Sequence, residues 1–113
     1  MNIIKFSNEL TDDIFYEVVA QIMKDFELCG LEFSFSSTHP EEFLQILLQH
    51  ITKLNNYHPE QLATLLYRVD VKQEYISSTA EKFALSFEES ITLCIAQREV
   101  EKIRFRKSHH SKF

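Results

Sequence analysis

The chain of 113 residues has one glycine, two prolines, two cysteines, no tryptophan and no long apolar run. The shortage of glycine excludes the most. Walker-type phosphate loops, dinucleotide fingerprints, nucleophile elbows and EF-hand loops need glycine at fixed offsets, for a tight turn or a close backbone approach. Gly30 alone can write none of them. Cys29 and Cys94 lie 65 residues apart with no CxxC spacing. They read as reduced packing thiols of a cytoplasmic protein rather than as a disulfide framework. The most apolar stretch, Phe43–Ile51, is interrupted by Gln45, Gln49 and His50, so nothing approaches the ~20 apolar residues of a membrane span. No secretory apolar region stands near the start.

Both prolines are used for one device. His39-Pro40-Glu41-Glu42-Phe43 and His58-Pro59-Glu60-Gln61-Leu62 repeat the same entrance nineteen residues apart. Proline has its φ fixed near the helical value and lacks the N–H that a first helical residue cannot pair, so Pro40 and Pro59 predict two helix starts. Glu41, Glu42 and Glu60 then meet the positive end of the helix dipole. Two copies at this spacing are too few and too short for a solenoid. They predict a helix hairpin with matched caps. In an antiparallel pair His39 and His58 would stand on the order of 20 Å apart, which opposes a shared ligand site.

Apolar residues make up 44% of the chain, including ten Phe. That composition folds as one small domain. Residues 1–107 are expected to form a single helical domain, with 108–113 a disordered tail. The net charge of −5 hides a split: residues 1–97 carry −9 and residues 98–113 carry +4.

Residues 1–6 read as an extended segment. Thr11-Asp12-Asp13 supplies an N-cap and acids for a helix to about Leu28, with Ile14, Val18, Ile22 and Phe26 on its apolar stripe. Gly30 is its expected left-handed cap. Leu31–Ser36 alternates apolar and polar, as a short strand or extended arm does. Helices from Pro40 to about Leu54 and from Pro59 to about Val69 follow, with Asn55-Asn56-Tyr57 as the turn. A weaker helix spans Ile76, Ala80 and Phe83. Ser86-Phe87-Glu88-Glu89 is a capping box for a last helix from Phe87 to about Arg106. The expected fold is mainly α, a small bundle of four to five helices, with room for a two-strand extension from residues 2–6 and 31–36.

Chemistry is sparse. His50 has no His or Cys three or four residues away, and the adjacent His109 and His110 point to different sides of a helix. Asp12-Asp13, Glu41-Glu42 and Glu88-Glu89 all fall in first turns, where the dipole accounts for them. Tyr67-Arg68-Val69-Asp70 reads either as a small polar site or as Arg68 meeting carbonyls while Asp70 caps the next segment. No metal, cofactor or enzymatic activity is expected.

The last helix has two apolar faces. Phe87, Ile91, Cys94 and Phe105 gather on one side, with Leu93, Ala96, Val100 and Ile103 nearly opposite. Such a helix is either threaded through the bundle or offers Leu93, Ala96, Val100 and Ile103 to a second chain. Arg98, Lys102, Arg104, Arg106 and Lys107 share it and could meet phosphates. The acidic body opposes that. The expectation is a cytoplasmic protein-interaction module without a membrane partner. It self-associates through the last helix, or grips an acidic protein with the basic one. Nucleic-acid binding is the alternative.

The runs Leu65-Leu66-Tyr67-Arg68-Val69-Asp70-Val71 and Arg98-Glu99-Val100-Glu101-Lys102-Ile103 resemble short helical bacterial proteins of uncharacterised function. The resemblance covers about half the chain. It implies no activity and transfers no site residue.

Overall fold

A computed structural model describes residues 2–110. Among them are an N-terminal 3-10 helix, Asn2–Glu9, and five α-helices: α1 (Phe15–Leu28), α2 (Pro40–Tyr57), α3 (Pro59–Val69), α4 (Gln73–Phe83) and α5 (Phe87–His110). The fold is mainly helical, and its longest dimension is 44 Å. No helix among the described residues is long and apolar enough to cross a membrane.

The expected two-strand extension is absent from the described residues. Residues i and i+3 eclipse in a 3-10 helix. Winding Asn2–Glu9 that way brings Ile3 and Phe6 to one side, where Ile3 is buried with Leu85 and Leu93 while Phe6 packs on them. An extended strand would point Ile3 and Phe6 to opposite faces. Leu31–Ser36 does run extended, with Phe33 buried and its neighbours Glu32 and Ser34 exposed. It lies on helices instead of pairing with a strand. Phe33 stacks on Phe26 at 4.9 Å, and Phe35 meets Phe43 edge-on at 5.2 Å.

Several helix ends follow their sequence signals, but the start of α1 does not: Ile14 stands at its cap with no side-chain hydrogen bond, because the Thr11 hydroxyl bonds Asp13. At the end of α1, Gly30 takes φ 73°. The Leu31 N–H donates to the Phe26 carbonyl and the Gly30 N–H to the Glu27 carbonyl, which together make a Schellman cap. Ser86 and Glu89 form the expected capping box, with reciprocal bonds of 3.1 and 2.9 Å. Pro40 and Pro59 stand at the starts of α2 and α3. The joint differs from expectation: Asn55-Asn56-Tyr57 is still helical, and His58 alone is both the end cap of α2 and the start cap of α3. His39 and His58 therefore flank an 18-residue helix, about 27 Å long at 1.5 Å per residue.

α5 is threaded through the bundle and packs against α1, α2, α3, α4 and the 3-10 helix. Ile91, Cys94, Ile95, Ala96 and Ile103 join the main core, and Leu93 joins the smaller cluster under the 3-10 helix. The polar side chains buried in its first half are satisfied locally. Ser90 donates to the Ile76 carbonyl at 2.7 Å and Thr92 to the Glu88 carbonyl at 2.8 Å. The helix extends to His110, so residues 108–110 of the expected tail are helical. Residues 111–113 lie outside the described residues.

Candidate functional site

The four apolar residues expected to face a second chain lie inside the first. Leu93, Ala96 and Ile103 are buried, and Val100 is half-buried against the core. The 3-10 helix, which buries Ile3 against Leu93, adds cover beyond that of α1 to α4. What α5 leaves exposed is its other side, past residue 97. There Arg98, Glu101, Lys102, Arg104, Phe105 and Arg106 line an open groove of about 780 Å³. Phe105 is 62% exposed. The His109 ring lies over Phe105 at 3.9 Å, and its Nδ1 bonds the Phe105 carbonyl. An exposed aromatic pair flanked by arginines is the composition of an interface centre.

The basic residues here are largely engaged by the chain's own acids. Arg98 pairs with Asp70 at 3.1 Å and Glu101 at 3.0 Å. Arg104 donates to the Thr11 hydroxyl at 3.0 Å and lies 3.7 Å from Asp13. Lys107 meets Glu17 at 2.8 Å. The Thr11 hydroxyl donates to Asp13; this bond, with Arg104 and Lys107 behind it, holds the Asp13 carboxyl below its ordinary pKa. The basic arm therefore grips the acidic start of α1 in its own chain. Arg106 makes no hydrogen bond or ion pair among the described residues.

Under the groove sit two buried carboxylates that sequence reading did not single out. Glu99 is fully enclosed and Asp25 is 3% exposed. Asp25 accepts from Arg68 Nε at 3.2 Å and Gln21 Nε2 at 3.1 Å through Oδ1, leaving Oδ2 without a donor. Lys102 Nζ stands 2.9 Å from Glu99 Oε1. That ammonium is the one cation against the carboxylate among the described residues, and Glu99 Oε2 has no hydrogen-bond partner. Burial pushes the Glu99 carboxyl above its ordinary value; Lys102 pulls it back, and the nearby Asp25 charge adds to the rise. Arg68 thus reaches across to α1, while Asp70 takes φ 70° and holds Arg98. Neither residue has the capping role the sequence left open for it. The signal for Glu99 was present: Ile95 and Ile103, four residues to either side, lie on the same helical row.

A second, smaller bowl of about 490 Å³ lies at the α2–α3 joint, lined in part by Phe33, His50, Lys53 and His58. His50 is held by a 3.0 Å bond to the Ile46 carbonyl and stands edge-on to Phe33 at 4.7 Å. No group of three His, Cys, Asp or Glu among the described residues is placed to hold a metal. Cys29 and Cys94 are free thiols, and burial raises the pKa of both. No family model, curated protein or solved structure matches the chain.

Proposed function

We propose that the protein is a non-enzymatic, cytoplasmic interaction module that self-associates through the exposed face of α5 between Arg98 and His109. The observation that carries this reading is the groove of about 780 Å³ lined by Arg98, Glu101, Lys102, Arg104, Phe105 and Arg106. Its occupant is a second copy of the chain. Residues 1–97 carry a net −9, and Glu41, Glu60 and Glu74 stand exposed at the starts of α2, α3 and α4. In a two-fold dimer each basic helix end would lie on the other copy's acidic body, so complementarity is satisfied twice.

Sedimentation equilibrium at micromolar concentration tests this, comparing the natural chain with a Phe105→Ala, Arg106→Glu variant. The expected result is a dimer that the variant loses. Monomer alone for the natural chain ends the proposal. Nucleic-acid binding ranks second because the acidic body, a net −9 over residues 1–97, repels phosphates and favours a basic partner surface. A salt series with Arg104→Glu, Arg106→Glu measures it. A steep salt dependence abolished by the variant would favour it.

A further inference from the structure

Glu99 is the least expected group in the core. A fully buried carboxylate with a single ammonium for partner is rare, because ionised oxygens removed from water normally gather several donors. The groups that face it come from three helices. α1 contributes Asp25 with Gln21 bonded to it, α3 contributes Arg68 on Asp25, and α5 itself contributes Lys102 and Arg106. Lys102 belongs to two places at once. Its ammonium sits 2.9 Å from the buried Glu99, and its side chain, 30% exposed, lines the groove outside.

We propose that Glu99 is a proton-operated latch on Lys102: ionised, it draws the ammonium inward against the core, and protonated, it releases that ammonium into the groove to receive an acidic segment of a second copy. The consequence for docking rests on the self-association proposed above, whereas the latch itself does not. Asp25 Oδ2 and Glu99 Oε2, neither with a hydrogen-bond partner, belong to two carboxylates close enough for their charges to interact. A proton taken up by Glu99 turns one of its oxygens into a donor and removes a buried charge that only Lys102 offsets. The two carboxylates also oppose one another, so Glu99 takes its proton more readily than an isolated acid. Lys102 loses its inward partner at the same moment. An ammonium freed from an ion pair extends toward water, since its long stem lets the charge reach solvent.

The test is a carbon-detected NMR titration of the full chain between about pH 4 and about pH 8, reading the Glu99 carboxyl carbon and the Lys102 ε-carbon. Both signals should move with one shared midpoint above the ordinary carboxylate range. Lys102→Met should drive the Glu99 midpoint higher, and Glu99→Gln should flatten the Lys102 response. A Glu99 midpoint in the ordinary range, or a Lys102 signal unmoved through it, overturns the latch. The docking arm is read separately by sedimentation of the natural chain, with His109→Gln beside it to separate the titration of the imidazole stacked on Phe105. Association should tighten about threefold from about pH 7.5 to about pH 5.5, the size expected for one additional exposed charge pair. The Glu99→Gln change should give the tighter value at both. A shared NMR midpoint without any association would keep the latch and discard the docking reading. Association without the shared midpoint would do the reverse.

Discussion

The two halves of α5 obey different rules. From Ile91 to Ala96 all six residues are buried, and the polar Ser90 and Thr92 satisfy themselves on nearby carbonyls. From Arg104 to His109 every residue is exposed, and the ion pairs reach outward to Asp13 and Glu17. Residues 98–103 form the boundary, where Glu99 and Ile103 point into the core while Arg98 and Lys102 border the groove. One continuous helix thus serves as a core element at one end and as a surface at the other. Apolar periodicity says that a helix has a face to bury, but not whether its own chain or another covers that face.

Substitutions at the two ends should separate these roles. Leu93→Ala and Ile103→Ala should cost about 2–5 kcal/mol each, the usual penalty for emptying a large buried side chain. Urea unfolding measures this, and self-association of the folded fraction should be unchanged. If either variant dissociated dimers while keeping its unfolding midpoint, the buried face would be the interface after all. Phe105→Ala should invert the pattern. Association should weaken by about tenfold, the effect of losing about 1.4 kcal/mol at a centre of contact. Its unfolding free energy should stay within about 0.5 kcal/mol of the natural chain.

Smaller effects sharpen the boundaries of the helix. Ser86→Ala removes the hydroxyl that accepts from Glu89 N–H, and should lower stability by about 1 kcal/mol. Just before it, Ala84 takes φ 54°, a left-handed conformation that strains a residue with a Cβ. Ala84→Gly should therefore gain about 0.5 to 1 kcal/mol in the same measurement. The smallest change belongs to the exposed end. The Asp13 pKa is lowered in the folded chain, so its contribution to stability is present above the unfolded value and lost as pH falls through the folded one. Asp13→Asn should flatten the acid limb of a stability–pH curve. An unchanged limb would mean that Arg104 and Lys107 bring nothing to folding.

Glu99 slopes the opposite way. Its raised pKa makes its contribution greatest below the unfolded value and lost as pH rises through the folded one. The natural chain should lose ground relative to Glu99→Gln between mildly acidic and neutral pH.

Local chemistry was legible in the sequence at several helix ends, though not at the starts of α1 and α4, where Ile14 and Lys72 stand at the cap without a side-chain bond. The Ser86–Glu89 box, the prolines before α2 and α3 and the glycine after α1 act within one helical turn, and each does in the structure what its pattern requires. Residues 2–6 were misread because Ile3, Ile4 and Phe6 suit an extended chain as well as a 3-10 turn. The choice falls to Leu93 and Leu85, more than seventy residues away. The same holds for Leu31–Ser36, whose alternation is real but whose phenylalanines found rings on α1 and α2 in place of a partner strand. The candidate site was half visible. Arg98, Lys102 and Arg106 were in view as charges, but Glu99 was hidden among them because a run of alternating sign usually faces water.

The joint at His58 has a consequence for how the chain can change length. Only that residue separates two helices that share the core through Leu47, Ile51, Leu62 and Leu65. There is no loop to take up slack. Adding or removing one residue within the first turn of α3 turns the rest of that helix by about 100°. Leu62, Leu65 and Val69 would then leave the interior together. α2 and α3 form a joined pair of fixed reach, so insertions belong between Ser36 and His39, past the buried Phe33, where the chain is neither helix nor strand and Ser36, Thr38 and His39 are exposed.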